Sequence, residues 1–389
     1  MRSGKVARCA VFPWSIHHAR AQVLNFRTPR RIVKQRLPEV KSKDVSMPSK
    51  IAQDPRIDPR IKAMFGAMDF PSAGDAVSRE AMLAEAAAPE AVARAAFFKA
   101  FLDSTDNEAV APSAGLTVSV ESIVSAPDGN KINVRIIRPD TSESLACVYY
   151  IHGGGMASSS CFDGHYRAWG KILAAHGVVV AMVDFRNAVT ASSVPEVAPY
   201  PAGLNDCVSG FRWVRDNADH LKIDIDRIII AGESGGGNLT LAAGLKLARE
   251  GDTRHLKGLY ALCPYIAGSW PAPDCPSSVE NNGLLLDLHN NRGAMGYGVE
   301  ALKACDPLAW PGFATDVDVR GLPPVVISVN ECDPLRDEGI NFYRLLMRAG
   351  VPARCRQVMG TIHGTEIFPA TCPDISRDTA SDIANFARR

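Results

Sequence analysis

The sequence contains a glycine-flanked serine that has the surroundings of a nucleophile. Residues 232–236 read Gly-Glu-Ser-Gly-Gly and match the pattern Gly-x-Ser-x-Gly. In this pattern the serine occupies a sharp strand-to-helix turn, and the glycines let neighbouring backbone segments approach closely. An apolar run (228–230) precedes the turn and an Ala/Leu-rich stretch follows it, so Ser234 is our candidate nucleophile. The alternative is an incidental serine in a glycine-rich turn. A phosphate-binding loop is disfavoured, because this sequence lacks the Lys-Ser/Thr ending of such loops.

A serine nucleophile needs a base to accept its proton. Among the nine histidines we favour His363, because it follows a β-type run and precedes the last predicted helix. That places it at the carboxyl end of a strand, where open α/β sheets bind ligands. His255 is too near Ser234 in sequence to fold back easily, and His289 lies in an Asn-rich insertion as a candidate lid or pocket residue.

The base in turn needs an acid that orients it, and the stretch after the predicted strand 325–330 supplies several. Asp333 lies in the turn and is our first choice, with Glu331 as the reserve candidate. Asp337 and Glu338 stand where a helix begins. We expect them to be ordinary acids of a first helical turn, where they interact favourably with the helix dipole.

Three consecutive glycines, Gly153–Gly155, follow His152 at the end of another apolar run (146–151). Their exposed N–H groups are suited to holding a carbonyl oxygen that acquires negative charge, and each such donor is typically worth about 3–4 kcal/mol in the transition state. The N–H of Gly235, directly after the candidate nucleophile, would add a further donor. A flexible glycine turn is the alternative, but it leaves the co-occurrence with Ser234 unexplained.

The elements that must position these residues alternate along the chain. An Ala-rich stretch (78–104) predicts one or two helices, and residues 116–124 and 131–138 predict two strands joined by a hairpin turn. Strands and helices then alternate to the C terminus, which predicts a mostly parallel sheet covered on both faces. A Pro/Gly/Asn-rich insertion, 266–315, interrupts this order.

Taken together, these motifs resemble the hormone-sensitive-lipase-like branch of the α/β-hydrolase fold. The resemblance runs from about Glu121 to the C terminus and is carried by His152–Gly155, the Ser234 turn, Asp333–Gly339 and His363–Gly364. It implies an eight-stranded, mostly parallel sheet and a cap built from the N-terminal helices and the insertion after Cys263. It also implies ester hydrolysis through an acyl-enzyme, without metal or cofactor. The implied site is the triad Ser234, Asp333 and His363 with oxyanion donors Gly154, Gly155 and Gly235.

The sequence departs from the family pattern in three places. Glu233 and Gly235 flank the serine where the family usually has Asp and Ala, the link 187–197 is longer than usual, and the insertion 266–315 is unlike a regular helical cap. None of these touches the triad. They put in doubt the acyl and alcohol preference rather than the chemistry.

Composition narrows the class of protein. With 46% hydrophobic and 22% charged residues among 389, the chain is neither disordered, collagenous nor a disulfide scaffold. No apolar run approaches the roughly 20 residues of a membrane span. The ten cysteines are scattered without a CxxC motif and no signal peptide precedes them, which indicates reduced thiols in a cytoplasmic protein. No Cys/His cluster has zinc-ligand spacing, so we expect no metal.

The near-neutral net charge of the chain is the sum of a basic N-terminal part and an acidic remainder. Residues 1–46 hold eleven Lys and Arg against two acids, a net of +9, and the remainder carries 32 against 40, a net of −8. A nucleic-acid arm, a membrane-surface arm and a transit peptide are alternatives for the basic part. We expect instead a disordered or non-native extension (1–46), then a helical N-terminal cap segment (47–114) and a catalytic domain (115–389).

The function we predict is a serine carboxylesterase that hydrolyses short- to medium-chain esters of small-molecule size. We expect no nucleic-acid or membrane partner and leave a homodimer open. A ligand receptor or sensor on a hydrolase scaffold is one alternative, although such proteins typically lose a triad member and none is lost here. An amide or lactone hydrolase would use the same triad and stays open.

Overall fold

The computed structural model describes residues 49–68, 70 and 72–389. The basic segment 1–46, which we expect to be an extension, lies outside the described residues. The described part forms one eight-stranded sheet in the order β1-β2-β4-β3-β5-β6-β7-β8. Its strands are β1 (Leu116–Val124), β2 (Lys131–Pro139), β3 (Leu145–Ile151), β4 (Val179–Asp184), β5 (Ile223–Glu233), β6 (Leu256–Leu262), β7 (Val325–Cys332) and β8 (Ala353–Ile362).

The helices connect and cover these strands. They are α1 (Lys50–Gln53), α2 (Pro59–Phe65), α3 (Arg79–Ala86), α4 (Pro89–Asp103), α5 (Gly164–Ala174), α6 (Ala202–Asp216), α7 (Ala218–Leu221), α8 (Gly235–Arg249), α9 (Ser277–Glu280), α10 (Arg292–Tyr297), α11 (Val299–Lys303), α12 (Asp316–Val319), α13 (Arg336–Arg348) and α14 (Pro373–Arg388). Short 3-10 turns lie at Pro311–Phe313 and Thr365–Ile367. Within the described residues, no helix is both long and apolar enough to cross a membrane.

The sheet is mostly parallel, as the sequence predicted. β1 pairs with β2 and β2 with β4 in antiparallel fashion, and every other pairing is parallel. The central strands are mainly apolar and largely buried on both faces; every residue of β4 is buried. The edge strand β1 instead leaves Val118, Val120 and Val124 exposed. This contrast is the usual one between helix-covered central strands and a one-sided edge strand.

The carboxyl ends of five strands meet at one edge of the sheet. Ile151 of β3 pairs with Gly232 of β5, and Glu233 pairs with Leu262 of β6. β7 continues the row beside β6, and its Cys332 pairs with Ile362 of β8. The loops after β3, β5, β6, β7 and β8 therefore emerge side by side, and each of them carries a residue of the predicted site or its neighbour.

The residues before the first strand supply an apolar cluster at this edge and two further helices. The N-terminal segment packs an apolar cluster against the ends of β7 and β8, in which Ile51, Ile61 and Phe65 contact Cys332 and Ile362. The Ala-rich stretch forms two helices, α3 and α4, because a proline interrupts a helix but is tolerated in its first turn. The second helix therefore starts at Pro89.

The insertion 266–315 holds only short helices, and aromatic stacking substitutes for regular helix packing. Tyr265 stacks on Trp270 with ring centroids 4.4 Å apart. Trp310 meets both rings and also Tyr297 edge to face. These buried aromatic contacts fix the insertion as a wall beside the loop that follows β6.

Candidate active site

Ser234 occupies a strained turn between β5 and α8. Its φ of 57° and ψ of −119° are a sparsely populated conformation for a residue with a side chain. The N–H of Ser234 donates to Leu262 (2.9 Å), and its carbonyl accepts from the N–H of Tyr265 (3.1 Å). A Cβ on Gly236 would stand 2.0 Å from the Ile151 carbonyl oxygen. The turn therefore exists only with glycine at 236, as the motif predicted.

The glycine loop after β3 lies directly against this turn. Gly154 and Gly155 have φ values of 92° and 62°, in the left-handed region that favours glycine. A Cβ added to Gly235 would stand 2.7 Å from the N atom of Gly155 and 2.5 Å from that of Met156. The departure from the usual alanine at 235 thus has a physical reason, because the loop comes closer than a methyl group allows.

Asp333 and His363 form a buried pair at the ends of β7 and β8. The Nδ1 atom of His363 lies 2.8 Å from Oδ2 of Asp333, while Oδ1 of Asp333 accepts the N–H of Leu335 at 2.9 Å. Since a carboxylate can only accept, the neutral imidazole carries its proton on Nδ1 and leaves Nε2 as an acceptor. Burial disfavours the imidazolium, but Asp333 and Cys263 together more than offset this effect, and the pKa of His363 is raised well above its usual value.

The other candidates from the sequence have different partners. Glu331, the reserve acid, accepts the N–H of Gly360 through Oε2 at 2.7 Å. His255 places Nδ1 2.9 Å from Asp226, and Nε2 of His289 lies 2.9 Å from a backbone carbonyl of the insertion. Asp333 and His363 therefore face each other, whereas Glu331, His255 and His289 are hydrogen-bonded to other residues.

Sequence reasoning missed the partners of Glu233, whose carboxylate is buried beneath the serine turn. Oε2 accepts the hydroxyl of Tyr150 (2.8 Å) and Oε1 that of Tyr166 (2.5 Å). The Tyr166 oxygen in turn accepts the N–H of Gly153 at 2.8 Å. Burial raises the pKa of Glu233 to about 7, although both tyrosines oppose the shift. This network links the residue before Ser234 to the first glycine of the loop.

A second missed residue is Cys263, which follows β6 with a φ of 34° and is 1% exposed. Its N–H donates to the Ser328 carbonyl (2.7 Å), and its sulfur lies within 4.8 Å of a nitrogen of the His363 imidazole. Burial raises the pKa of this thiol to about 11. The available sequence signal was its place at the carboxyl end of the strand beside β5.

Glu338 also does more than the sequence indicated. It lies in the first turn of α13, as expected, yet its carboxylate is buried and reaches the insertion. Oε1 accepts the N–H groups of Ile266 (2.7 Å) and Ala267 (3.2 Å), and Oε2 accepts the indole N–H of Trp270 (2.7 Å). Burial raises its pKa to about 8. Glu338 therefore fastens the start of the insertion to the helix after Asp333.

Comparison with known proteins agrees with this geometry. Residues 148–367, more than half of the chain, match the α/β-hydrolase fold family. The carboxylesterase NlhH of Mycobacterium tuberculosis is 32% identical over 261 residues, which are 66% of this chain and 78% of NlhH.

Solved structures extend the likeness over most of the chain. Esterase Est22 is 68% identical with a TM-score of 0.87, and the match covers 88% of this chain and 99% of Est22. Brefeldin A esterase, described as a bacterial homologue of human hormone-sensitive lipase, is 35% identical with a TM-score of 0.76, covering 87% of this chain and 95% of its own.

The chain is therefore an α/β hydrolase. Within that fold it belongs to the hormone-sensitive-lipase-like carboxylesterases and is a serine esterase, an enzyme that hydrolyses carboxylic esters. The predicted family, fold class and reaction type are confirmed.

Proposed function

We propose that Ser234, His363 and Asp333 carry this ester hydrolysis as nucleophile, base and orienting acid. The observation that supports the proposal best is the 2.8 Å contact between His363 Nδ1 and Asp333 Oδ2. It lies on the sheet edge where β5 ends in the strained Ser234 turn. In the neutral imidazole this contact leaves Nε2 free of a proton, which is the state a base needs.

In the reaction, Ser234 Oγ attacks the ester carbonyl as His363 Nε2 takes its proton. His363 then returns the proton to the alcohol oxygen, the C–O bond breaks, and an acyl-enzyme on Ser234 remains. Water attacks the acyl-enzyme with the same imidazole as base and releases the acid. Asp333 keeps the imidazole in one tautomer and stabilises the imidazolium that forms at each step.

The oxygen of each tetrahedral intermediate is held by the backbone N–H groups of Gly154, Gly155 and Gly235. Support comes from the close approach of the glycine loop to Gly235. These donors are part of the fixed backbone and need no reorganisation when charge develops. That is why such donors are worth several kcal/mol each in the transition state.

The substrates are esters with short or medium acyl chains. Ser234 is half-buried, and His363 keeps only 6% of its surface exposed. The aromatic wall of Tyr265, Trp270 and Trp310 starts at the residue whose N–H binds the Ser234 carbonyl. A filled wall so near the nucleophile favours small acyl groups. Est22 has been solved with p-nitrophenol, the alcohol that p-nitrophenyl esters release.

The test is a series of p-nitrophenyl esters of increasing acyl length, measured for the wild type and for Ser234→Ala. We expect kcat/KM to be highest for the short members and Ser234→Ala to lose turnover of all of them. Stoichiometric labelling of Ser234 by an organophosphate separates the esterase from a receptor on the same scaffold. Retained turnover in Ser234→Ala would overturn the assignment of the nucleophile.

We also propose the organisation that the sequence indicated. Residues 47–114 and the insertion 266–315 act as the cap, and residues 115–389 as the catalytic domain. A cytoplasmic location is supported by the free thiols of the described residues, which include the buried Cys147, Cys161 and Cys207. A homodimer stays a prediction that sedimentation velocity tests directly.

A further inference from the structure

We propose that Cys263, Asp333 and His363 form an inhibitory binding site for thiophilic divalent cations such as Zn²⁺ and Cd²⁺. The inference rests on the proposed function only for the inhibition, since it takes His363 as the base. The binding itself follows from the geometry of the three side chains.

One ligand atom from each residue, a sulfur, a carboxylate oxygen and an imidazole nitrogen, lies within 4.8 Å of the other two. All three residues are buried. Sulfur, nitrogen and oxygen at this spacing are the donor set of tetrahedral zinc sites, with bonds of about 2.0–2.3 Å to the metal. Three protein ligands also leave a fourth position for water or another group.

The site is assembled by the sheet and is invisible in sequence spacing. Cys263, Asp333 and His363 directly follow β6, β7 and β8, which are consecutive strands. The left-handed backbone of Cys263 (φ 34°) and the bond from its N–H to Ser328 hold that residue at the strand end, where its sulfur lies within 4.8 Å of a His363 nitrogen. Of the three, His363 is the most exposed, at 6%, so a cation reaches the cluster from the His363 side.

A bound cation competes with the proton that His363 and Asp333 share. The oxygen and nitrogen are 2.8 Å apart, whereas two atoms that each bind zinc at about 2.0–2.2 Å in a tetrahedron are separated by more than 3 Å. Binding therefore breaks the hydrogen bond that fixes the imidazole. When Nδ1 binds the cation, the neutral imidazole carries its proton on Nε2 instead, so the esterase loses its proton acceptor.

The experiment titrates the whole protein with Cd²⁺ and Zn²⁺ and follows two signals. One is p-nitrophenyl acetate hydrolysis, and the other is the ultraviolet charge-transfer absorption that only a cadmium–thiolate bond produces. Cys263→Ser and Cys263→Ala remove the sulfur ligand, each compared with its own metal-free activity. Cys305→Ala is the matched control, because Cys305 is an exposed thiol away from the cluster. Mg²⁺ and Ca²⁺ serve as hard cations, which prefer oxygen ligands.

We expect Cd²⁺ and Zn²⁺ to inhibit the wild type and Cys305→Ala equally, with Mg²⁺ and Ca²⁺ without effect. In both Cys263 variants the inhibitory concentration rises at least about tenfold, since even the loss of a hydrogen-bond partner of a metal ligand costs 10–100-fold in affinity. The charge-transfer band disappears in these variants. Inhibition that is unchanged in both Cys263 variants, or a band that survives in them, overturns the site. A Cys263-dependent band without inhibition supports the metal site and contradicts His363 as the base.

Discussion

The hydroxyl of Tyr166 is the group through which the glycine loop can be disturbed without touching a reacting residue. It donates to Glu233 at 2.5 Å and accepts the N–H of Gly153 at 2.8 Å. Tyr166 and Glu233 are each only 2% exposed, so water has little access to replace the lost hydroxyl. Tyr166→Phe therefore leaves a buried carboxylate oxygen and a buried amide without this partner.

The size of the effect follows from these two bonds. A hydrogen bond to a charged group is worth about 1.5–3 kcal/mol, and an unsatisfied buried donor costs about 1–3 kcal/mol. We expect Tyr166→Phe to lose about 2.5–6 kcal/mol of unfolding free energy. Because Gly153 anchors the loop that carries Gly154 and Gly155, we also expect kcat to fall roughly 10–100-fold, less than the 100–1,000-fold cost of removing an oxyanion donor outright.

Tyr150→Phe is the matched control, since Tyr150 donates to the other oxygen of Glu233 at 2.8 Å and its hydroxyl has no bond to the loop. Both variants are assayed with p-nitrophenyl acetate at a temperature where urea unfolding shows each to be folded. Because Tyr150→Phe loses one bond and Tyr166→Phe loses two, we expect the losses of both stability and kcat to be larger in Tyr166→Phe. Equal kcat values in the two variants would refute the idea that the Gly153 bond positions the loop.

Three further predictions follow from the pKa shifts and the chain organisation. Because the pKa of His363 is raised and a base must be unprotonated, kcat/KM of the wild type should rise with pH beyond neutrality. Asp333→Asn should move the midpoint of its residual activity to lower pH. A wild-type profile that is flat from pH 6 upward contradicts this prediction. The pKa of Glu338 is raised to about 8 from 4.5, so the folded state holds a proton that the unfolded state has lost between these values. The free energy of unfolding therefore falls as pH rises through this window, by at most roughly 1.4 kcal/mol per pH unit. Glu338→Gln should flatten that pH dependence in urea unfolding from pH 5 to 8. Parallel curves for the wild type and the variant would argue against this role of Glu338. Finally, a chain that starts at Met47 should keep its fold and esterase activity, and a loss of either in circular dichroism or the ester assay would show that residues 1–46 are needed.

The sequence predicted the fold and supplied the candidate site residues because both depend on local pattern. Apolar runs that end in glycine-rich turns mark strand ends, and a parallel sheet brings such ends to one edge. Ser234 stands just past a run of this kind, and Asp333 and His363 follow predicted strands. Strand bounds were less exact: β5 begins at Ile223, before the apolar run 228–230, because Ile223 pairs with Leu145 at the start of β3.

What the sequence did not predict depends on which loops become neighbours. Glu233 looked like a minor departure from the family pattern, but the pairing of β3 with β5 places Tyr150 next to Ala231 and so puts its hydroxyl within reach of the carboxylate. Glu338 looked like an ordinary acid of a first helical turn until the insertion folded onto it. In both cases the carboxylate is buried among donors from distant segments, and long-range hydrogen bonds of this kind carry no periodic signal.

Cys263 shows most clearly how this limit bears on function. Zinc sites are usually sought as closely spaced cysteines and histidines, and no such spacing occurs here. Three consecutive strands nevertheless deliver a thiol, a carboxylate and an imidazole to one point. The same topology that brings His363 to Asp333 thus brings a soft ligand to His363. A cation bound at the cluster must break the Asp333–His363 hydrogen bond, so in the proposed mechanism metal binding and ester hydrolysis would exclude each other at this site.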